Sequence, residues 1–297
     1  MSGPENTHRR VAVLGAGKVG QAVGVLLREA GFEIVAVTAR SNEHARTAAL
    51  TTGGEATADN ARAASAADIV FVTANDDAIA SLVADVAARG GWRAGQVVVH
   101  TSGALGLDVL APAAGAGALV ASIHPLQSFA SASDAVRELP GSVFGVTAGP
   151  GAGETAEALV SALGGTAVNV PEEAKALYHA AAAVASNGLV AVEDVAVRML
   201  ERAGFGRDEA VTALAPLLRG TATNVIRLGP QAALTGPVSR GDAETVARHL
   251  AALADAPPEW REIYVALGRQ QLRIAVERGS VDAEAAARIA ALLDGEA

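Results

Sequence analysis

The first half of the chain alternates short runs of β-branched and apolar residues with alanine-rich stretches of helical character. The apolar runs have no polar side, which is typical of parallel strands that are buried on both faces of a sheet. Strands that alternate with helices form βαβ units, and such units build a doubly wound sheet. The pattern predicts strands over residues 10–14, 33–38, 68–73, 96–99, 119–123, 142–147 and 166–170.

Strand signals stop after Pro171, and the rest of the chain has the periodicity of helices. Asp208, Asp242 and Asp282 are suited to first turns or caps, and Gly204 and Gly279 to helix ends. The predicted helices cover residues 172–203, 207–228, 243–254, 258–279 and 282–293. We therefore predict an α/β fold, with a Rossmann doubly wound parallel sheet over residues 1–170 and an all-α domain for substrate binding and dimerisation over residues 171–297.

Composition narrows the classes of function. Hydrophobic residues make up 51% of the 297 residues, which is enough to bury a large core and argues against intrinsic disorder. A net charge of −9 argues against nucleic acid as a partner, because phosphate binding needs a basic face. The sequence has no cysteine, which excludes a thiolate metal site and a cysteine nucleophile, and we expect no bound metal.

The first residues are polar and lack the apolar core of a signal peptide. The most apolar stretch, near residues 180–192, is interrupted by Ser186, Asn187 and Gly188, which makes it a poor membrane span. We therefore expect a cytoplasmic protein without a membrane partner.

A glycine motif follows the first predicted strand and opens the first predicted helix. In that context a G-x-G-x-x-G pattern indicates dinucleotide binding. The first glycine permits a tight turn, the second lets the backbone approach a pyrophosphate, and the third permits close packing of helix on strand. Helix N-H groups then face the phosphates. The predicted cofactor-binding residues here are Gly15, Ala16, Gly17, Lys18, Val19 and Gly20.

The end of the second strand predicts which dinucleotide is bound. NAD enzymes usually place an acidic residue there, but this chain has Arg40 and Ser41, which suit a 2′-phosphate. We therefore predict NADP as the cofactor. Thr73 and Asn75, after another buried strand, are further predicted cofactor contacts, and Asp76 or Asp77 is expected to cap the next helix.

Histidines end two neighbouring predicted strands. His100, in the segment His-Thr-Ser-Gly-Ala-Leu, and His124, in Ile-His-Pro-Leu-Gln-Ser-Phe, both belong at the carboxyl edge of the sheet, where ligands bind. Each could transfer a proton or hold a substrate carboxylate, or serve only as a hydrogen-bonded structural residue. His8 and His44 are expected at the surface.

The first helix after Pro171 carries a polar stripe. At 100° per residue, Lys175, His179 and Ser186 fall on one side of the helix, with Asn187 on the same broad face. A lysine removed from water has a lowered pKa and can protonate a developing alkoxide or amine. A solvated stripe at the domain edge is the alternative interpretation.

A polar loop lies between two later helices. Arg240, in the segment Thr-Gly-Pro-Val-Ser-Arg-Gly-Asp, could bind a substrate carboxylate, or the segment could serve only to start the next helix at Asp242.

Together these segments resemble the 6-phosphogluconate dehydrogenase-like reductases, which include ketopantoate reductase, pyrroline-5-carboxylate reductase and prephenate dehydrogenase. The motifs HTSGAL, IHPLQSF and LTGPVSRGD and the helix from Lys175 to Asn187 are similar to a subgroup with a C-terminal domain of unknown function. The resemblance implies a proton donor at Lys175, a substrate-orienting Asn187, a catalytic His124 as in prephenate dehydrogenases and a substrate contact at Ser102. It also implies a homodimer.

The leading hypothesis is an NADPH-dependent reductase of a small carboxylate-bearing 2-oxo or imino substrate, with ketopantoate as the best single guess. Lys175 or His124 would supply the proton, and the substrate would lie between the domains. The predicted substrate-binding residues are His100, Ser102, His179 and Arg240, with Asn187 among the catalytic residues. Two alternatives are a prephenate-type NADP-dependent dehydrogenase and a non-catalytic NADP-binding sensor.

Overall fold

The strands of the first half pair into one sheet in the computed structural model, which describes residues 9–296. The strand order is β3-β2-β1-β4-β5-β6-β7-β8. The predictions about the first residues of the chain, including His8, lie outside the described part. The strands are β1 (Arg10–Leu14), β2 (Glu33–Thr38), β3 (Glu55–Thr57), β4 (Ile69–Val72), β5 (Val97–His100), β6 (Leu119–Pro125), β7 (Val143–Ala148) and β8 (Thr166–Asn169).

Strands β1 to β6 pair in parallel, which confirms the predicted Rossmann-like sheet. The prediction that all strands are parallel is wrong at one point, because β7 pairs with β6 in the antiparallel direction. The connection between them contains one short helix, which packs on the first helix of the sheet, and β7 begins beside the carboxyl end of β6, where Phe144 pairs with Pro125. The three-residue β3 was not predicted, since its sequence Glu-Ala-Thr has no apolar run.

Helices cover both faces of this sheet. Val11 and Val13 belong to the core on one face, whereas Ala12 and Leu14 belong to the core on the other, and all four are fully buried. This two-sided burial explains why the strands lack a polar side. The helices are α1 (Lys18–Glu29), α2 (Asn42–Thr52), α3 (Asn60–Ser65), α4 (Asp76–Ala88), α5 (Ala111–Gly115), α6 (Ala132–Glu138), α7 (Gly153–Ala162) and α8 (Lys175–Ala183).

The second compact unit begins at Asn187 and is helical. Asp242 and Asp282 accept backbone N-H bonds and cap α11 and α13, as predicted. The 27-residue α10 bends at Gly229, which has a positive φ and is followed by Pro230. The helix ends at Ala233, five residues beyond the end predicted at Leu228. The helices of this unit are α9 (Leu189–Arg202), α10 (Arg207–Ala233), α11 (Ala243–Ala252), α12 (Pro258–Glu277) and α13 (Ala283–Asp294).

The two compact units divide between Ser186 and Asn187. The division lies within a π-helical segment, Val184–Gly188, so α8 belongs to the unit that contains the sheet. The boundary predicted at residue 170 marks the end of the strands rather than this division, and it stays a prediction.

One continuous helical stretch among the described residues, Glu172–Arg202, is long and apolar enough to cross a membrane by length and composition; it contains α8, the π-helical segment and α9. Those two properties are weak evidence for a membrane, because an apolar helix at a protein interface shares them. Several large apolar side chains on it are exposed, including Leu177 and Val190.

Candidate functional site

The turn between β1 and α1 is held against the ends of two neighbouring strands. Gly15 has a φ of +105°, which favours glycine, and a side chain there would lie 2.7 Å from the backbone nitrogen of Ala74. The N-H groups of Gly15 and Ala16 donate to the carbonyl of Thr38 over 3.2 and 2.8 Å. The hydroxyl of Thr73 donates to the carbonyl of Gly15 over 2.7 Å. The turn is therefore fixed from both sides.

The other two glycines of the motif have different surroundings. A side chain at Gly20 would overlap the carbonyl of Gly15 and the hydroxyl of Thr73, so this glycine permits α1 to pack closely. A side chain at Gly17 would meet no protein atom within 4 Å, and no side chain caps α1 at this residue. The first N-H groups of α1 therefore border open space, as binding of a pyrophosphate requires.

A cavity of about 220 Å³ opens beside this turn, and its lining suits the phosphates of a dinucleotide. The glycine turn and the cation Arg40 both line the cavity, and backbone N-H groups and a guanidinium are the donors that phosphates prefer. Ser41 caps α2 by accepting the N-H of His44, and His44 itself lines the cavity, although the sequence suggested only a surface position. The lining residues are Gly15, Ala16, Gly17, Ala39, Arg40, His44, Thr73, Ala74, Asn75, Asp77 and Ala78.

Two other predicted cofactor residues have structural contacts. The ammonium of Lys18 donates to the carbonyl of Phe129 over 3.1 Å, and Val19 packs on the core. The expectation that Asp76 or Asp77 caps α4 is wrong, because Asn75 occupies the cap position and both aspartates lie in the first turn. The Asp76 carboxylate instead accepts the hydroxyl of Ser102 over 2.8 Å.

His100 is fully buried, and backbone groups engage both of its ring nitrogens. Nδ1 accepts the N-H of Ser102, and Nε2 lies 3.1 Å from the carbonyl of Gly106. Burial, with a smaller contribution from the charge of Lys175, lowers the pKa of His100 to about 4. A neutral imidazole thus shapes the loop after β5, and backbone groups occupy both of its nitrogens.

Ser102 is likewise saturated with partners inside the loop. Its hydroxyl donates to Asp76 and accepts the N-H groups of Ala104 and Leu105 over 3.2 and 3.1 Å. Ser102 therefore joins the end of β5 to the first turn of α4, whose residues line the cavity beside the glycine turn.

Lys175 is 3% exposed and lies against the carboxyl ends of β5 and β6. Its ammonium donates to the hydroxyl of Ser122 over 2.8 Å and to the carbonyl of Ser102 over 3.4 Å. Among the described residues no carboxylate forms an ion pair with it. Burial lowers the pKa of Lys175, while the charges of Glu172 and Asp76 partly oppose that change.

His124 forms an aromatic cluster with two residues of α8. The Tyr178 hydroxyl lies 3.1 Å from His124 Nδ1, and the rings of His124 and His179 meet edge to face at 5.7 Å. Burial, followed by the charge of His179, lowers the pKa of His124 to about 4. Buried Nδ1 of His179 has no hydrogen-bond partner among the described residues.

Two glycines make room for this cluster. A side chain at Gly103 would lie 2.6 Å from His179 Nδ1 and 2.8 Å from the ring of His124. A side chain at Gly145 would lie 2.7 Å from the hydroxyl of Tyr178. Neither glycine has a positive φ, so close packing rather than backbone conformation explains its presence.

Asn187 and Arg240 lie in the second compact unit, and both are exposed. The predicted stripe assumed a regular α-helix, but the π-helical segment Val184–Gly188 changes the angle between successive residues. The prediction that Ser186 and Asn187 share a face with Lys175 therefore rests on the wrong helix geometry. Arg240 ends a 3-10 turn before the left-handed Gly241, whereas Lys175 and His179 lie on α8.

Sequence reasoning missed Ser122, and it did not place Tyr178 in the site. Ser122 is the one hydroxyl in the otherwise apolar segment of β6 before His124, and this isolated polarity was the available signal. Tyr178 lies three residues after Lys175, a spacing that brings side chains to one side of a helix.

We expect the free energy of unfolding to fall as the pH drops from about 6.5 towards 4. The folded pKa of His100 is about 4, below its ordinary value of 6.5, so in this range the unfolded chain binds the proton and the folded chain does not. Each such histidine contributes a slope of up to about 1.4 kcal/mol per pH unit. Urea unfolding between pH 7.5 and 4.5 measures this slope.

The substitution His100→Gln should flatten the dependence, because glutamine keeps a donor and an acceptor but does not titrate. His44→Gln, at an exposed position, is the matched control and should leave the wild-type slope unchanged. Equal slopes for wild type and His100→Gln would contradict the assignment of a neutral, buried His100.

Comparisons with known proteins agree with this geometry. Residues 2–125 match the Rossmann-like domain family, and residues 142–271 match the domain of unknown function DUF2520. The first match ends with β6, and the second begins just before the antiparallel β7. No curated protein matches the chain.

Several solved structures share the architecture. A candidate NADP oxidoreductase from Bacteroides fragilis is 27% identical, with a TM-score of 0.73 over 90% of this chain and 99% of that one. A reductive aminase from Aspergillus terreus, solved with NADPH and ethyl levulinate, is 20% identical, with a TM-score of 0.62 over 97% and 99%. A pyrroline-5-carboxylate reductase from Coxiella burnetii is 16% identical, with a TM-score of 0.58 over 92% and 98%.

The last two likenesses concern the fold alone, and they agree with the sequence resemblance to this group of reductases. The chain therefore consists of a Rossmann-like domain followed by a DUF2520 domain, and it has the fold of NAD(P)-binding oxidoreductases.

Proposed function

We propose that this protein is an NADPH-dependent oxidoreductase that reduces a small carboxylate-bearing 2-oxo or imino substrate, with ketopantoate as the first compound to test. The observation that carries the proposal is a buried lysine, Lys175, at the carboxyl edge of the sheet that also bears the glycine turn. Ligands of doubly wound sheets bind at this edge. A desolvated ammonium there is a suitable proton donor for a reduced carbonyl or imine.

The choice between Lys175 and His124 follows from their protonation at neutral pH. His124, with a pKa of about 4, is neutral and has no additional proton to give. Burial lowers the pKa of Lys175 from 10.5, towards the range in which an acid transfers its proton readily. We therefore assign the proton donor to Lys175.

The bound nicotinamide would supply the hydride to the substrate carbon. An N-H bond of the Lys175 ammonium would break as the substrate oxygen or nitrogen becomes an alkoxide or amide ion, and that atom would take the proton. Solvent would then restore the ammonium. Asn187 and Arg240 remain proposed substrate-orienting residues, Arg240 for the carboxylate.

A prephenate-type dehydrogenase is the second candidate, and one observation favours it. Neutral His124, beside the hydroxyl of Tyr178, is in the state needed to accept a proton. Oxidation of a substrate by NADP with release of carbon dioxide would identify that reaction.

Turnover of NADPH tests the leading proposal. We expect NADPH absorbance to fall with at least one member of a panel of 2-oxo acids and cyclic imines that includes ketopantoate. Lys175→Met keeps a side chain of similar length without an exchangeable proton and should lower kcat by at least about 100-fold. Its dissociation constant for NADPH should change less than about twofold.

Glu173→Gln, at an exposed position two residues before Lys175, is the control and should retain wild-type turnover. Turnover that persists in Lys175→Met would contradict the assigned donor. NADPH binding without turnover of any compound in the panel would favour the non-catalytic sensor.

The preference for NADP is proposed from the cation at the end of β2. Arg40 lines the cavity and is exposed, so its guanidinium can pair with a 2′-phosphate, and His44, in the first turn of α2, lines the same cavity. We expect Arg40→Ala to weaken NADPH binding by about 10- to 100-fold, as for loss of a charge-assisted hydrogen bond, and to leave NADH binding unchanged. Fluorescence titration measures both, and wild-type preference for NADH would contradict the proposal.

We also propose that the protein is a homodimer through its helical unit. Long helices of this unit expose large apolar side chains, which a second copy of the chain would cover. Analytical ultracentrifugation should give a mass of about twice the chain mass of 29.6 kDa, and Ile226→Glu should lower the measured mass to that of the monomer. The exposed side chains are Leu189, Val190, Val211, Leu217, Val225, Ile226 and Leu228.

A further inference from the structure

We propose that Ser122 is a positioning residue that holds the Lys175 ammonium in place at the carboxyl edge of the sheet. The proposal deepens the proposed function and rests on it for its catalytic meaning. Its structural content concerns two side chains of the same compact unit and can be measured without a substrate.

The hydrogen-bond directions in this cluster are determined by chemistry. The Lys175 ammonium can only donate, so Ser122 Oγ accepts from it over 2.8 Å. The Ser122 hydroxyl donates its own proton to the carbonyl of Ser102 over 3.2 Å. Lys175 also donates to that carbonyl, over a longer 3.4 Å. Ser122 is therefore the nearest acceptor of the ammonium, and its orientation is fixed by a backbone group.

The fold alone does not explain a hydroxyl at this position. Ser122 is fully buried between Ala121 and Ile123 on β6, where an alanine would complete an apolar strand. A buried hydroxyl is costly unless it is hydrogen-bonded, and Ser122 Oγ is bonded to Lys175 and to the Ser102 carbonyl. Its hydrogen-bonding capacity thus serves the contact with Lys175.

The charges around Lys175 make this contact important. Glu172, before α8, and Asp76, on α4, favour the ammonium, but neither forms an ion pair with it. Glu172 Oε1 accepts the N-H of Leu107 over 2.6 Å, and Asp76 is held by Ser102. Of the other titratable residues nearby, His100 on β5 and His124 on β6 are neutral at pH 7, and Tyr178 and His179 lie on α8 itself. Ser122 is therefore the closest group that stabilises the charged form directly.

The loss of this acceptor should have two effects. A hydrogen bond donated by an ammonium stabilises the charged form over the neutral amine, and Ser122→Ala removes the nearest acceptor of that bond. The substitution should therefore move the titration midpoint of Lys175 down by about one to two pH units. The Ser122→Ala enzyme should also have a lower kcat with an unchanged KM, because the amine of Lys175 is no longer held in place.

The composition of the chain makes the first effect directly measurable. The sequence contains only two lysines, Lys18 and Lys175, so protein labelled with ε-¹³C lysine gives two side-chain signals in NMR spectra. Lys175→Met assigns them by removing one. We would titrate the wild-type protein, Ser122→Ala and the conservative variant Ser122→Thr, which keeps the hydroxyl.

The proposal expects a lower midpoint for Lys175 in Ser122→Ala, recovery in Ser122→Thr, and an unchanged Lys18 signal in both. An unchanged Lys175 midpoint in Ser122→Ala would overturn it. Because this readout needs no turnover, it also separates the two hypotheses. A shifted midpoint in Ser122→Ala supports positioning even if Lys175→Met retains activity, and that second result would contradict only the proton-donor role.

Discussion

The close approach of the β1–α1 turn to the end of β4 is the constraint on which the cofactor end of the sheet depends. The Thr73 hydroxyl binds the carbonyl of Gly15, and the space between them excludes a side chain at both Gly15 and Gly20. The same contact directs the first N-H groups of α1 away from the core. Tight packing below the turn and open space above Gly17 are thus two consequences of one geometry.

A second constraint acts at the neighbouring strands, where α8 meets β5 and β6. Taking an ammonium out of water is costly, and Lys175 regains part of that cost from one hydroxyl and one carbonyl rather than from a carboxylate. An ammonium without a carboxylate partner releases its proton more readily than an ammonium in an ion pair does. Asp76, in the first turn of α4, accepts a hydrogen bond from Ser102 and places a negative charge near both the lysine and the cavity beside the glycine turn.

The sequence was most informative where the pattern was local. Apolar runs predicted strands β1, β2 and β4 to β8, and the glycine spacing predicted the turn, because backbone geometry there leaves few alternatives. Lys175 could be singled out by its rarity and by its place on an apolar helix. The direction of β7 could not be predicted, since it depends on how α6 packs on α1 rather than on the strand itself.

The surroundings of several site residues depend on contacts that the sequence alone does not show. His100 was a candidate for substrate binding, yet a loop that closes six residues later engages its ring. Ser122 and Lys175 are 53 residues apart, and only the folded sheet brings them together. The π-helical segment changes the side of the helix on which Asn187 lies, and the alanine-rich sequence does not indicate that this segment departs from an α-helix.

Calorimetric titration of NADPH into Gly17→Ala tests the central claim most directly. The added methyl group would enter the space assigned to the pyrophosphate without touching protein, whereas Gly115→Ala, equally free of contacts, lies on α5 away from the glycine turn. We predict wild-type thermal stability for both variants, with NADPH affinity lowered at least about tenfold in Gly17→Ala and unchanged in Gly115→Ala. Equal affinity in the wild type and both variants would contradict the account.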